Sequence, residues 1–420
     1  MSGPTASARP AGRGFFPLDE RIGLLAHSTF SPRLYQCLVR LGTELPFERV
    51  PALAQLLLGV HVSVDTVRRL TEAAGVAQVE REEALCQHLW QRAPDGPAGP
   101  EVQQLSADGA MVPLVGGEWA EVRTLAVGTV ETDGEGEAHT KDLRYFSRLC
   151  SAAAFIDWVE LPLYHAGTAQ AGTVVAVQDG ADWLTHLLDA HCPEAVRILD
   201  FPHAAEALSR AAHACLGQGT AETSTWLDTW LHELKHGEPE VVIAAIRALP
   251  APSTEAATAR DGAAAYLTRR RTQITYAAFQ AQGYPIGSGI VESANKLVVE
   301  ARLKGAGMHW SRHNVTPILA LRALVCTGTW EAEWPGIWQH LCATARARVT
   351  RRRQERRAAQ RIQVQEQTSP PPREPILPKD PPMRVDGRPT EHHHWKQGYD
   401  QRSLTRARAR ATTSGAPRGW

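Results

Sequence analysis

Hydrophobic and polar positions along this chain change period repeatedly, and each change predicts a switch between helix and strand. From Leu18 to about Trp90 the apolar residues recur at helical spacing. Residues 46–58 read as one helix stopped by Gly59. Ser63 caps a second over 64–74, whose Val64, Val67, Leu70 and Ala74 share a face. The Pro- and Gly-rich stretch 91–101 is a linker. Beyond it, short apolar runs predict strands near 102–107, 119–130 and 141–149, the last two separated by an acidic, Gly-rich loop. A helix near 151–165, a strand ending at Asp179, a helix over 181–191 and a strand over 195–200 follow. Helical spacing then returns and persists to about residue 341.

Residues 283–310 are the densest in chemistry. A Gly/Ser-rich turn leads into a helix that starts near Ser288 and stops at Gly305 or Gly307. On an ideal wheel Ile290, Val291, Ala294, Leu297, Val298 and Ala301 gather on one side, although Val299 and Leu303 fall outside the stripe. Glu292 lies opposite, with Asn295 and Lys296 beside it one turn on. A lone helical Glu is ordinarily a solvated charge. Two aspartates change that reading, Asp108 and Asp179, each following a strand-like run and each followed by Gly-Ala, where glycine permits a sharp exit. Two Asp at strand ends and one Glu on a helix make an all-oxygen set suited to Mg²⁺ or Mn²⁺. Two such ions can serve phosphodiester chemistry. The predicted fold class is α/β, a ribonuclease-H-like mixed sheet flanked by helices.

Several blocks together resemble one family. Asp108-Gly-Ala-Met-Val-Pro, the run from Gly117 to Gly128, Asp179-Gly-Ala-Asp-Trp, the run from Ile198 to Glu206 and the Glu292 block are similar, in this order, to the ISKra-type insertion-sequence transposases, over roughly residues 15–340. The resemblance implies an Asp-Asp-Glu active site at Asp108, Asp179 and Glu292 with a pair of Mg²⁺ or Mn²⁺ ions. It also implies a homo-oligomer acting on terminal inverted repeats and target DNA.

The other features keep two readings each. The helix pair 46–74, with Arg68 and Arg69 outward, fits a helix-turn-helix or a plain helical bundle. Asp200 and His203, in Asp-Phe-Pro-His, match a motif such transposases carry behind the catalytic carboxylates. They equally suit a helix cap and an internal hydrogen bond. The length between Asp179 and Glu292 exceeds one strand and one helix, so 217–282 reads as an all-α insertion with Trp226 and Trp230 in its core. Arg269, Arg270 and Arg271 form a phosphate-facing or merely solvated face. Asn295, Lys296 and Trp310 are further candidates for DNA contact, Trp310 by stacking on a base or else as core.

Composition narrows the classes. No apolar run approaches the ~20 residues of a membrane span, and mean hydropathy is −0.28. Seven scattered cysteines without a Cys-x-x-Cys pair predict a reducing cytoplasm and no zinc module. Net charge is zero, but from residue 341 onward there are 18 Lys and Arg against 7 Asp and Glu. The expected organisation is a disordered 1–16, an N-terminal helical DNA-binding domain (17–90), the linker, a catalytic domain (102–216 and 283–341) interrupted by the insertion, and a basic, Pro-rich tail (342–420). The leading expectation is a DNA transposase. A nuclease of the same fold without strand transfer, or a non-catalytic DNA-binding descendant, are the alternatives.

Overall fold

The computed structural model describes Leu25 and residues 29–92 and 94–368. The expected disordered start, the Pro-rich 369–389, His392–His394 and the Arg-rich 402–410 lie outside the described residues. Up to Val349 the chain forms one compact unit, and Thr350 begins a second.

A five-stranded mixed sheet, in the order β3-β2-β1-β4-β5, is the centre of the first unit. The strands are β1 (Val102–Pro113), β2 (Trp119–Thr132), β3 (Ala138–Arg148), β4 (Thr173–Gln178) and β5 (Val196–Leu199). β1, β2 and β3 form an antiparallel meander, whereas β4 joins β1 and β5 joins β4 in parallel. Before the sheet come helices α1 (Pro32–Glu44), α2 (Val50–Leu58) and α3 (Val64–Arg92). Within it lie α4 (Ala152–Trp158), α5 (Glu160–His165) and α6 (Asp182–His191). After β5 come α7 (Phe201–Leu216), α8 (Ala221–His236), α9 (Pro239–Ala248), α10 (Thr254–Arg269) and α11 (Tyr276–Ala281). A composite helix α12 follows, running from Gly289–Ala294 through a π turn, Asn295–Glu300, into Ala301–Leu303. The last two are α13 (Arg312–Thr327) and α14 (Trp330–Thr368).

Side-chain alternation along β1 feeds a separate core on each face of the sheet. Leu105 and Ala107 pack with Phe155, Leu184 and Leu187 of α4 and α6. Ala110 and Val112 pack with Val291, Ala294 and Val298 of α12 and Leu319 of α13. Val175, Val177 and Ile198 anchor a third core with α7–α11, against which Trp226 and Trp230 pack while partly buried.

Four sequence expectations need correcting. β1 does not turn at Asp108-Gly109, because β2 pairs with it as far as Pro113↔Trp119 and keeps Gly109 in the ladder. The helix expected to end at Ala74 continues to Arg92, because Gly75 is used for close packing against Pro317 of α13 and not as a stop, and Val64 at its start is exposed. The last helix expected over 317–341, with Trp-rich packing after it, is two helices separated at Gly328, whose φ of 80° suits glycine in the left-handed region. On α12 it is Leu297 and Ala301 that face solvent, whereas Val299 and Leu303 are buried. The wider π turn carries one extra residue and rotates the following positions, which is why an ideal wheel misassigned them.

Helices α1–α3 share their interior with the last helices. Tyr35, Val39, Ala74 and Ala77 pack with Leu321, Leu324, Trp330 and Trp334. Arg302 is buried between the rings of Phe47 and Trp310, 4.6 and 4.9 Å from their centroids, and donates to the Gly42 carbonyl at 3.0 and 3.2 Å. Removing α1–α3 therefore exposes the core behind α12.

α3 crosses α13 at Gly75, where a β-carbon would fall 2.4 Å from the carbonyl oxygen of Pro317. Gly75→Ala forces two helices apart and should cost about 1–3 kcal/mol. Gly262→Ala, in open space on α10, should instead be neutral or stabilise by up to about 1 kcal/mol. Urea unfolding of both variants checks the contrast; equal effects would refute the close crossing.

Candidate metal and phosphoryl-transfer site

The parallel ladder between β1 and β4 ends with Leu105 opposite Ala176. Asp108 and Asp179 each lie three residues beyond that pair, so they stand at the same level where the two strands separate. Asp179 leaves β4 directly, and Gly180 then takes a φ of 84° to start the turn into α6. The Asp179 carboxylate accepts from the Ala181 N–H at 2.8 Å. β5 ends at Leu199 opposite Gln178, which puts Asp200 next to Asp179 in the same row.

Asp200 is fully buried and accepts from two sides. The Ser288 N–H reaches its Oδ1 at 2.6 Å, and Nδ1 of His203 reaches its Oδ2 at 2.7 Å. The Phe201 N–H also donates to the Ile286 carbonyl at 3.0 Å, and Nε2 of Gln104 donates to the Gly287 carbonyl at 2.9 Å. These bonds fix the turn that leads into α12. About two helical turns later, Nδ2 of Asn295 donates to Oδ2 of Asp108 at 2.9 Å. Ser288, Glu292 and Asn295 are spaced four and three apart, so they share a helix face. Two of the three are bonded to the aspartate row. Glu292 between them is exposed.

Electrostatics mark the row as overloaded with negative charge. Burial pushes the Asp108 carboxyl above the ordinary carboxylate value, and Asp179 pushes it the same way, against the Gly109 N–H, His203 and Asn295. Burial opposes the Asp200 carboxylate as well, yet the hydrogen bonds from His203 and Ser288 outweigh it and hold its pKa low. The bond to Asp200 raises His203, against desolvation, and the charges of Asp200, Asp179 and Glu206 add to the rise.

The chemistry of the donors suits a hard divalent cation: Asp108 and Asp179 at one level, Glu292 on the facing helix, and no sulfur. A further observation supports the fit. Oδ1 of Asn295 is buried beside Asp108 without a hydrogen-bond partner, an acceptor that a cation or its bound water would satisfy. Among the described residues, the three ligand side chains whose donor atoms gather within 4.8 Å are Asp133, Glu137 and His139, not the carboxylate triad. That exposed loop cluster has a structural explanation, because Oδ1 of Asp133 already accepts from the N–H groups of Glu135 and Glu137. The cavities of about 500 and 770 Å³ in this unit are not lined by Asp108, Asp179 or Glu292.

The residues expected to touch DNA divide. Arg69, Arg269, Arg271 and Lys296 are exposed. Arg68 and Arg69 are both paired with Asp65, and Arg68 also with Glu72. Such exposed pairs are weak enough to exchange for another anion. Arg270 donates to the Gly180 carbonyl at 2.7 Å and lies over Tyr266, so it braces the loop of Asp179. Trp310 is 7% exposed and donates through Nε1 to the Leu303 carbonyl. It is core, because Arg302 and Phe47 occupy the ring surface that a base would need. Asn295, also 7% exposed, is turned inward to Asp108. Its role was hidden in the sequence, since only the β1 contact reveals it.

Asp200→Ala should cost about 3 kcal/mol near pH 6, leaving a buried N–H and an imidazolium unpaired. With a depressed pKa, Asp200 stabilises above the ordinary carboxylate value, and that contribution is lost as pH falls through its folded value. His203, with a raised pKa, contributes fully below the ordinary histidine value and loses its part as pH rises through its folded value. The gap between wild type and variant should therefore be widest between those limits. Urea melts from pH 3 to 9 measure it, and a gap independent of pH would contradict the pairing.

No protein-family model matches the chain, and no curated protein matches it.

Proposed function

We propose that this protein is a DNA transposase of the Asp-Asp-Glu type, built on a ribonuclease-H-like sheet, with Asp108, Asp179 and Glu292 as its metal-holding and catalytic carboxylates. The observation that carries the reading is the shared level of Asp108 and Asp179 at the parting of β1 and β4, with α12 bonded across it through Asn295. The sheet order, with a parallel β4 and β5 appended to a three-stranded meander, is compatible with that fold. In this reading the helices between β5 and α12 are an insertion, and α1–α3 carry the recognition of element ends.

Mg²⁺ or Mn²⁺ ions, when bound, activate the attacking water or 3′-hydroxyl and stabilise the leaving oxygen. The protein's own share is positional. Asp108 and Asp179 would hold the cations from the sheet, and Glu292 would supply a carboxylate from α12. Asn295 fixes the Asp108 carboxylate through Nδ2 and offers Oδ1 to whatever occupies the site. His203 and Asp200 hold the turn before α12, so they set where Glu292 stands. Repulsion between Asp108 and Asp179 is the reserve that a bound cation relieves.

Asp108→Asn separates binding from chemistry. Removing one buried charge should raise the melting temperature of the metal-free protein near neutral pH. That gain should fade as pH falls through the raised Asp108 pKa, where the wild-type carboxyl is already protonated. Stabilisation by Mn²⁺, read by thermal shift, should shrink, and cleavage of duplex bearing the DNA that flanks the gene should fall by orders of magnitude. Cleavage should need Mg²⁺ or Mn²⁺ and fail in Ca²⁺. Full activity in EDTA, or in Asp108→Asn, would overturn the proposal. Joining of the cut 3′ ends to a second duplex distinguishes a transposase from a nuclease.

Asn295→Ala gives an independent check on the same site. It removes the bond to Asp108 without touching a carboxylate, so the Mn²⁺ concentration needed for half-maximal thermal stabilisation should rise about tenfold or more. An unchanged metal titration would show that Asn295 does not serve the site.

A further inference from the structure

The last helix carries a charge arrangement that the carboxylate site does not use. Between residues 346 and 361, α14 has eight arginines and one carboxylate, Glu355. All eight arginines are exposed. Arg351 pairs with Glu355 at 3.6 Å, and no ion pair of the other seven is seen among the described residues.

Helix geometry makes this cationic run unfavourable in isolation. Residues four apart are neighbours on a helix surface, so Arg348–Arg352, Arg352–Arg356, Arg353–Arg357 and Arg357–Arg361 place like charges on successive turns. The segment also lacks an apolar stripe: Ile362 is its exposed large apolar residue, and a helix polar all round is not held by burial. On the wheel, Arg353, Arg357 and Arg361 form one line, and Arg348, Arg352 and Arg356 form another on a different flank. From Arg351 to Arg361 the helix rises about 15 Å. Over that length a duplex presents about nine phosphates.

We propose that the arginine-rich part of α14, residues 348–361, is a docking surface for the phosphate backbone of duplex DNA, bound without regard to sequence. Two cationic lines on separate flanks suit a groove with phosphates on both walls. Bound phosphates would also remove the like-charge repulsion along the helix. An anionic membrane fits less well, because an interfacial helix needs an apolar face to insert. The choice of DNA as partner rests on the function proposed above, but the surface uses none of the residues of the carboxylate site.

The test uses the full chain and a random-sequence duplex of about 30 base pairs, with affinity measured by fluorescence anisotropy at several KCl concentrations. A variant with Arg352→Gln, Arg353→Gln, Arg356→Gln and Arg357→Gln should bind more weakly. Its plot of log K against log salt should be shallower by up to about 3.6, at about 0.9 per lost phosphate contact. The same four positions changed to Lys keep the charge and should restore most of the slope. Circular dichroism should show all three proteins folded, since these side chains touch no core. An unchanged slope in the Gln variant, or no duplex binding by the wild type, overturns the inference. So does a result in which the Gln substitutions abolish binding to phosphatidylserine-containing vesicles while sparing the duplex. Metal-dependent cleavage is scored separately. An unchanged slope with cleavage intact removes this surface alone, and a reduced slope in a protein that never cleaves keeps the surface and removes the transposase.

Discussion

The buried carboxylate of Asp200 is the constraint on which the candidate site depends. It stands at the end of β5 with no exposure to solvent, and it is bonded to the backbone of Ser288 and the ring of His203. A carboxylate taken out of water is stable only when its oxygens are occupied by donors. Those donors come from the first turn of α7 and from the turn before α12. Neutralising one charge therefore ties together two segments 88 residues apart in sequence. That tie adds to the bonds of Phe201 and Gln104 in setting how the helix bearing Glu292 and Asn295 approaches Asp108.

Asp108 shows the opposite economy. Its carboxyl is pushed up by burial and by Asp179, and Asn295 donates to it without satisfying its own Oδ1. A protein selected only for stability would not keep two neighbouring acids and an orphaned acceptor at the parting of two strands. Such local cost is usual where a ligand is to be held. Arg270 contributes from α10 by filling the space beside Gly180, so helices between β5 and α12 brace the loop of the second aspartate.

The N-terminal helices are bound into the same interior. Arg302, between Phe47 and Trp310, has no carboxylate partner among the described residues. It is held by two ring faces and one backbone carbonyl. Burial of the guanidinium lowers its pKa to about 10, with the charge of Arg322 acting in the same direction, which still leaves it protonated at neutral pH. The contact joins α1, through Gly42, to the end of α12. Any element that moves α1–α3 therefore acts on the helix that faces Asp108.

The sequence alone determined the alternation of strands and helices, the two aspartates that follow apolar runs, and the helix carrying Glu292. Each of these is written in local periodicity and in the short range of glycine and serine signals. Tertiary structure decided what local pattern does not encode. The pairing with β2 carried Asp108-Gly109 straight on, where the dipeptide by itself suggested a turn. The π turn rotated α12 so that Val299 and Leu303 entered the core and Leu297 left it, a shift no ideal wheel contains. In the sequence Trp310 suited either a stacked base or the core, and Asn295 was a candidate for DNA contact. They became a ring against Arg302 and a donor to Asp108 because their partners, 8 and 187 residues away, are chosen by packing. A residue's neighbours along the chain set its conformation, but its charge and hydrogen bonds are answered by whatever the fold brings beside it.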